Sequence, residues 1–105
     1  MSDARIILVV DNDHRARVRL RSLLEDAGYV VFTATNGAMA LTVMRGLPVL
    51  PRLVLLDPLM PIMDGWEFLE AKRAEPAWAD VNVIMHAKMS DGEILDLAHR
   101  AWPTA

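Results

Sequence analysis

Two apolar runs in this chain stop abruptly at an acid. Ile6-Ile7-Leu8-Val9-Val10 ends at Asp11, with Asn12 and Asp13 behind it, and Leu53-Val54-Leu55-Leu56 ends at Asp57. If the two runs are neighbouring strands, about 4.8 Å apart, the carboxylates of Asp11 and Asp57 converge on one small site. Carboxylates held together in a polar crevice repel each other, and the usual remedies are a shared proton or a divalent cation. The ligands on offer are oxygens, since the chain has 0 Cys and no clustered His, so Mg²⁺ is the natural cation. Such an ion would also let an anionic phosphoryl group approach an anionic carboxylate. The arrangement fits an aspartate that becomes phosphorylated.

The elements that must position these acids follow from the hydrophobic pattern. Continuous β-branched and aliphatic runs such as Ile6–Val10 fit strands buried on both faces. Over residues 14–27, Ala16, Leu20, Leu23, Leu24 and Ala27 recur at three- and four-residue spacing, with Asp13 as N-cap and Gly28 as the stop, which predicts an amphipathic helix. Residues 29–34 read as a second strand. Asn36-Gly37 opens a helix over 38–45, ended by Gly46 and Pro48. After Asp57 come a Pro-rich segment, a helix over about 65–74 and a strand over 81–85. Ser90-Asp91-Gly92-Glu93 is a capping box for a last helix with Ile94, Leu97, Ala98 and Ala101 on one face, and Pro103 stops it. Short apolar strands alternating with amphipathic helices imply right-handed βαβ units and a parallel sheet covered on both faces. In such sheets the working residues gather at the carboxyl ends of the strands, where Asp11 and Asp57 fall.

Composition narrows the function classes. The 105 residues suffice for one domain and not two, and 53% hydrophobic residues can form a core. A net charge of −3 gives no long-range attraction to phosphate backbones or anionic membranes, so neither nucleic acid nor membrane is an expected direct partner. The absence of Cys removes disulfide frameworks, thiolate zinc sites and Cys nucleophiles together. The first apolar run is too short to span a bilayer and lacks a cleavage region, and the expectation is a soluble cytoplasmic protein.

Four segments together closely resemble the response-regulator receiver domain of two-component signalling, a CheY-like family. They are Val9-Val10-Asp11-Asn12-Asp13, Leu23-Leu24-Glu25-Asp26-Ala27-Gly28-Tyr29, the Asn36-Gly37 turn, and especially Leu55-Leu56-Asp57-Pro58-Leu59-Met60-Pro61-Ile62-Met63-Asp64-Gly65. The resemblance runs from residue 5 to about 97. It implies an α/β, flavodoxin-like doubly wound parallel sheet. It also implies that Asp57 is the phosphoacceptor, that Asp11 is one of two acids before the first helix, and that the backbone carbonyl of Leu59 is a further Mg²⁺ ligand. Met60, Pro61, Asp64 and Gly65 match the turn and helix start behind the site, where the implied role is positioning. The implied partner is a histidine kinase or a phosphotransfer protein.

The chain departs from the family's pattern at four points. The second acid is Asn12, a neutral oxygen ligand that should weaken Mg²⁺, with Asp13 available to compensate. Pro58 follows the acceptor and has no N–H to offer a phosphoryl oxygen. The family's Thr or Ser at the end of the fourth strand is replaced by His86 or by Ala87, depending on register. The fourth departure is length. A fifth strand carrying a Lys, and a fifth helix, need roughly 15–20 residues beyond the fourth helix, and the sequence stops at Ala105. Lys88 reads as a solvated loop lysine. The expected sheet order is thus 2-1-3-4, with residues 1–105 forming a receiver domain shortened after its fourth helix. On that order the fourth strand is an uncovered apolar edge, and a homodimer through it, or exchange of the terminal helix, is expected.

Other residues carry less. Arg15, Arg17, Arg19 and Arg21 step around a helix by about 200° per pair and read as a solvated surface, not a basic stripe. His14 reads as solvated, and Trp66, Trp78 and Trp102 as packing or half-exposed residues. The leading reading is a receiver that accepts a phosphoryl group on Asp57. The alternative is a degenerate pseudo-receiver acting through phosphorylation-independent contacts. A small Mg²⁺-dependent hydrolase is disfavoured, because no second acid stands two residues after Asp57.

Overall fold

A computed structural model describes residues 5–102. The elements run β1 (Ile6–Val10), α1 (His14–Asp26), β2 (Val30–Ala34), α2 (Gly37–Gly46), β3 (Leu53–Leu56), α3 (Gly65–Arg73), a 3₁₀ turn (Pro76–Trp78), β4 (Asn82–Met85) and α4 (Asp91–Ala101). All strand pairs are parallel, in the order β2-β1-β3-β4 expected from the sequence. Pro103 lies outside the described residues. No helix among them is long and apolar enough to cross a membrane.

Strand side chains alternate between faces, and the core divides accordingly. Leu8, Val10, Val54 and Leu56 pack with Ala40, Leu41 and Met44 of α2 and Phe68 of α3. Ile7, Val9, Leu53 and Leu55 pack with Leu20 and Leu24 of α1 and with Ile94 and Ala98 of α4. Every residue of β1 and β3 is therefore buried, which is why those runs carry no polar alternation.

Right-handed crossovers place α1, which steps from β1 to β2, on one face, and α2 and α3, which step the opposite way, on the other. The last helix takes the face of α1, so each side of the sheet carries two helices. An ion pair between Arg19 of α1 and Asp91 at the start of α4 joins the two. β4 is the outer strand within the described residues. Its Val83 and Met85 pack toward one core and Ile84 toward the other, so the apolar edge expected from the sequence is half-buried on both sides.

The caps account for most boundaries. Asp13, Asn36, Asp64 and Ser90 each accept a backbone N–H of the following first turn, and both Asp64–Glu67 and Ser90–Glu93 form reciprocal capping boxes. Gly28 adopts φ 98° after α1, a conformation that costs a side-chain-bearing residue. Ala27, expected on the apolar face, is an exposed C-cap instead. β2 starts at Val30 and not at 29, because the Tyr29 N–H still bonds to Leu24 O; its ring lies 5.4 Å from that of Trp102. β4 starts one residue later than expected, because Val81 N–H closes the 3₁₀ turn on Trp78 O.

Candidate functional site

Parallel pairing fixes the site. Val10 is in register with Leu56, and Leu56 with Met85, so the residues that follow them, Asp11, Asp57 and His86, fall in one row at the carboxyl edge of the sheet. The backbone ladder continues one rung past the strands: Asp11 N–H donates to Ala34 O (3.1 Å), Asp57 N–H to Val10 O (2.9 Å) and His86 N–H to Leu56 O (3.0 Å). These bonds hold the three side chains above the core.

Asp11 is the most buried of the three, 4% exposed. Its Oδ1 accepts the Asp13 N–H at 2.9 Å, and its Oδ2 lies 3.3 Å from Nε2 of His86. Burial pushes the Asp11 carboxyl above its ordinary range; the Asp13 N–H pulls it down, the nearby Asp57 charge raises it, and His86 lowers it. The Asp57 charge thus bears on the Asp11 carboxyl.

Asp57 is half-buried, and its Oδ1 accepts the Leu59 N–H at 3.1 Å. Pro58, between them, has no N–H to give. Leu59 itself is 80% exposed.

The segment after Asp57 is fastened at several points. Met60 is buried in the core with α2 and α3, Pro61 is exposed, and Met63 O accepts the Gly37 N–H at 2.9 Å. Asp64 caps α3, and Gly65 N–H donates to Pro58 O at 3.1 Å. A Cβ on Gly65 would stand 2.9 Å from Pro58 Cα and 3.1 Å from Asp57 O, so only glycine lets the helix start lie against the acceptor's own backbone. Ile62 sits at φ 70° in a three-residue turn closed by Met63 N–H on Pro61 O (2.7 Å).

The register question resolves to His86. It is buried, while Ala87 and Lys88 are exposed in the turn that follows, Lys88 at φ 61°. Nε2 of His86 is buried without a hydrogen bond, its approach to Asp11 being close in distance but poor in angle. Asn12 and Asp13 are both exposed, and Asp13 Oδ1 is engaged by the Arg15 N–H as the cap of α1.

Sequence reasoning missed Arg17. Read as a solvated surface residue, it is half-buried and donates from Nη1 to Asp11 O at 2.7 Å, with Nη2 3.5 Å from Nδ1 of His14. The available signal was position: four residues past the Asp13 cap, its side chain leans back over the first turn toward the strand end.

The donor chemistry admits a small divalent cation, because two electrostatically coupled carboxylates present more negative charge than burial favours. The donor set is nonetheless thinner than the sequence implied. Among the described residues no three His, Cys, Asp or Glu side chains gather as a metal cage.

Comparison with known proteins identifies the family. A sequence model of the response regulator receiver domain matches residues 7–100. The chain is 41% identical over 90 residues to "Probable transcriptional regulator ycf27" of Pyropia yezoensis, covering 86% of this chain and 34% of that protein. It is 38% identical over 79 residues to sporulation initiation phosphotransferase F of Bacillus subtilis, covering 75% of this chain and 60% of that one. It spans about a third of the length of the ycf27 relatives. Among solved structures, the signal receiver domain of a histidine kinase from Syntrophus aciditrophicus superposes with a TM-score of 0.74 at 26% identity, over 94% of this chain and 74% of that one. The chemotaxis response regulator CheY4 of Vibrio cholerae shares the fold with a TM-score of 0.82 at 21% identity, over 94% of this chain and 99% of that one. The chain belongs to the response-regulator receiver domain family, the CheY-like phosphoacceptor modules of two-component phosphorelays, which are not enzymes in their own right.

Proposed function

We propose that this receiver, taken as one domain over residues 1–105, accepts a phosphoryl group on Asp57 from a histidine kinase or phosphotransfer protein in the cytoplasm. The observation that carries the reading is the placement of a half-buried Asp57 beside a buried acid at the carboxyl edge of the sheet. The Leu59 N–H holds Oδ1, while Oδ2 makes no hydrogen bond within the described residues and is the oxygen free to attack phosphorus. As its O–P bond forms, the donor's P–N bond breaks and the electron pair stays on the donor imidazole. Asp11, Asp57 and the Leu59 carbonyl, with Asn12 or Asp13, are the groups that would hold Mg²⁺. Bound there, the ion supplies the positive charge that lets two anions meet. Incubation with acetyl phosphate and millimolar Mg²⁺ should add the mass of one phosphoryl group, and Asp57→Asn should abolish the gain.

His86 in place of a hydroxyl, and Pro58 in place of an N–H donor, favour a second reading. In it the module works by protein–protein contacts without phosphorylation, and no mass gain at millimolar Mg²⁺ would select it. In either case β4 offers an outer strand for pairing two chains. Sedimentation equilibrium tests this, and a monomer at high concentration rules it out.

A further inference from the structure

Helical spacing sorts the arginines of α1 by face. His14, Arg17, Val18 and Arg21 stand at three- and four-residue intervals, so they form one stripe along the helix. Arg19, about 200° round from Arg17, turns instead to its ion pair with Asp91 of α4. The stripe runs beside β2, where its four residues and Thr33 line an open cavity of about 190 Å³. No acidic side chain lines that cavity, in a chain whose net charge is −3. Arg17 is anchored by its Nη1 bond to Asp11 O at 2.7 Å, and its Nη2 lies 3.5 Å from Nδ1 of His14. Arg21 donates from Nε to Glu25 Oε2 at 3.2 Å, while its two terminal nitrogens make no hydrogen bond among the described residues. Thr33, half-buried on β2, adds a hydroxyl to the lining. Two guanidinium groups four residues apart repel each other, and Glu25 relieves only the outer one.

From this arrangement we propose that the pocket between α1 and β2 binds a phosphate dianion, free or as a small monoester, apart from the acceptor site. Guanidinium groups present paired N–H donors that match phosphate oxygens, and the His14 ring and Thr33 hydroxyl add further donors. The donors come from the helix on one side and the strand on the other, which suits the tetrahedral set of oxygens of phosphate better than the two coplanar oxygens of a carboxylate. The Arg17 bond to Asp11 O holds that side chain in place before a ligand arrives. Cavities for drug-sized molecules run to about 300–1,000 Å³, so this one fits a small anion. The inference stands apart from the receiver reading, because neither Asp57 nor any group that would hold Mg²⁺ lines the pocket.

The test titrates the 105-residue protein, without Mg²⁺, with inorganic phosphate at constant ionic strength and follows it by NMR. Saturable shifts should fall on the His14 ring, the Arg17 and Arg21 side chains and the Thr33 amide. Arg21→Gln, at an exposed position, should weaken phosphate at least about tenfold, while Arg19→Gln, on the other face, should leave it within about twofold. Arg17→Gln should weaken it as much as Arg21→Gln does, and the latter decides the matter if the Arg17 variant does not fold. Glycerol phosphate titrated alongside separates the two sources: binding as tight as that of phosphate supports a monoester ligand, and binding of inorganic phosphate alone supports the free ion. Shifts that do not saturate, shifts confined to Asp57 and His86, or equal weakening by Arg19→Gln and Arg21→Gln would each overturn the site.

Discussion

Ile62→Gly should stabilise this protein. Ile62 holds φ 70° in the turn between Pro61 and Met63, a rare and strained three-residue turn whose central residue has positive φ. A non-glycine residue there costs about 1–3 kcal/mol, and a β-branched one belongs near the middle of that range or above. Replacement by glycine removes that cost but returns about 0.5–1 kcal/mol through the greater freedom of the unfolded chain. Because the side chain is 83% exposed, its lost burial amounts to no more than about 0.3–0.5 kcal/mol. The net expectation is a gain of about 1 kcal/mol, or roughly 4–8 °C in Tm for a domain of this size. Urea unfolding followed by circular dichroism reads it. Ile62→Ala keeps a Cβ, so it should stay within about 0.5 kcal/mol of the parent. A glycine variant less stable than the parent, or no better than the alanine variant, would refute the reasoning.

Other perturbations act on the site's supports. Gly65→Ala drives a Cβ into the Asp57–Pro58 backbone and should cost about 1–3 kcal/mol in urea unfolding while slowing acetyl phosphate labelling. Asp64→Ala removes the cap of α3 and half of its capping box and should cost about 1 kcal/mol by the same measure. Asp11→Asn should raise stability at neutral pH. The folded-state pKa of Asp11 is raised, chiefly by burial, so the folded state binds its proton more tightly than the unfolded chain does. The protein therefore loses stability as pH rises from the ordinary Asp value, about 3.9, through the higher folded value, and the Asn variant does not. The two unfolding curves should converge below about pH 4 and separate toward neutrality, with the variant more stable. Curves that separate in the opposite sense would contradict the assignment of burial as the leading cause.

Much of this arrangement is legible in the chain because local signals agree. The uninterrupted runs before Asp11 and Asp57 require strands covered on both sides, and the caps Asp13 and Ser90 mark helix starts by side-chain chemistry alone. What cannot be read locally depends on how separate segments meet. Whether His86 or Ala87 reaches the site is set by the Leu56–Met85 register, a tertiary choice. The approach of His86 to Asp11 then crosses two strand pairings. Arg17 was misread because helical spacing gives the direction of a side chain around the axis, but not the strand end beneath it. The placement of α4 beside α1 rests on packing of Ile94 and Ala98, which carries no trace of which sheet face receives them. Tyr29, apolar and next to a strand, was drawn into α1's closing turn by one hydrogen bond to Leu24.

The most direct test of Asp57 as acceptor is the formation of a beryllofluoride adduct, read by ¹⁹F and amide NMR in the presence of Mg²⁺. The expected result is one bound fluoride species, with amide shifts concentrated at Asp57, Leu59 and His86 and all signals lost in Asp57→Asn. No adduct at millimolar Mg²⁺, or an adduct that survives Asp57→Asn, would contradict it.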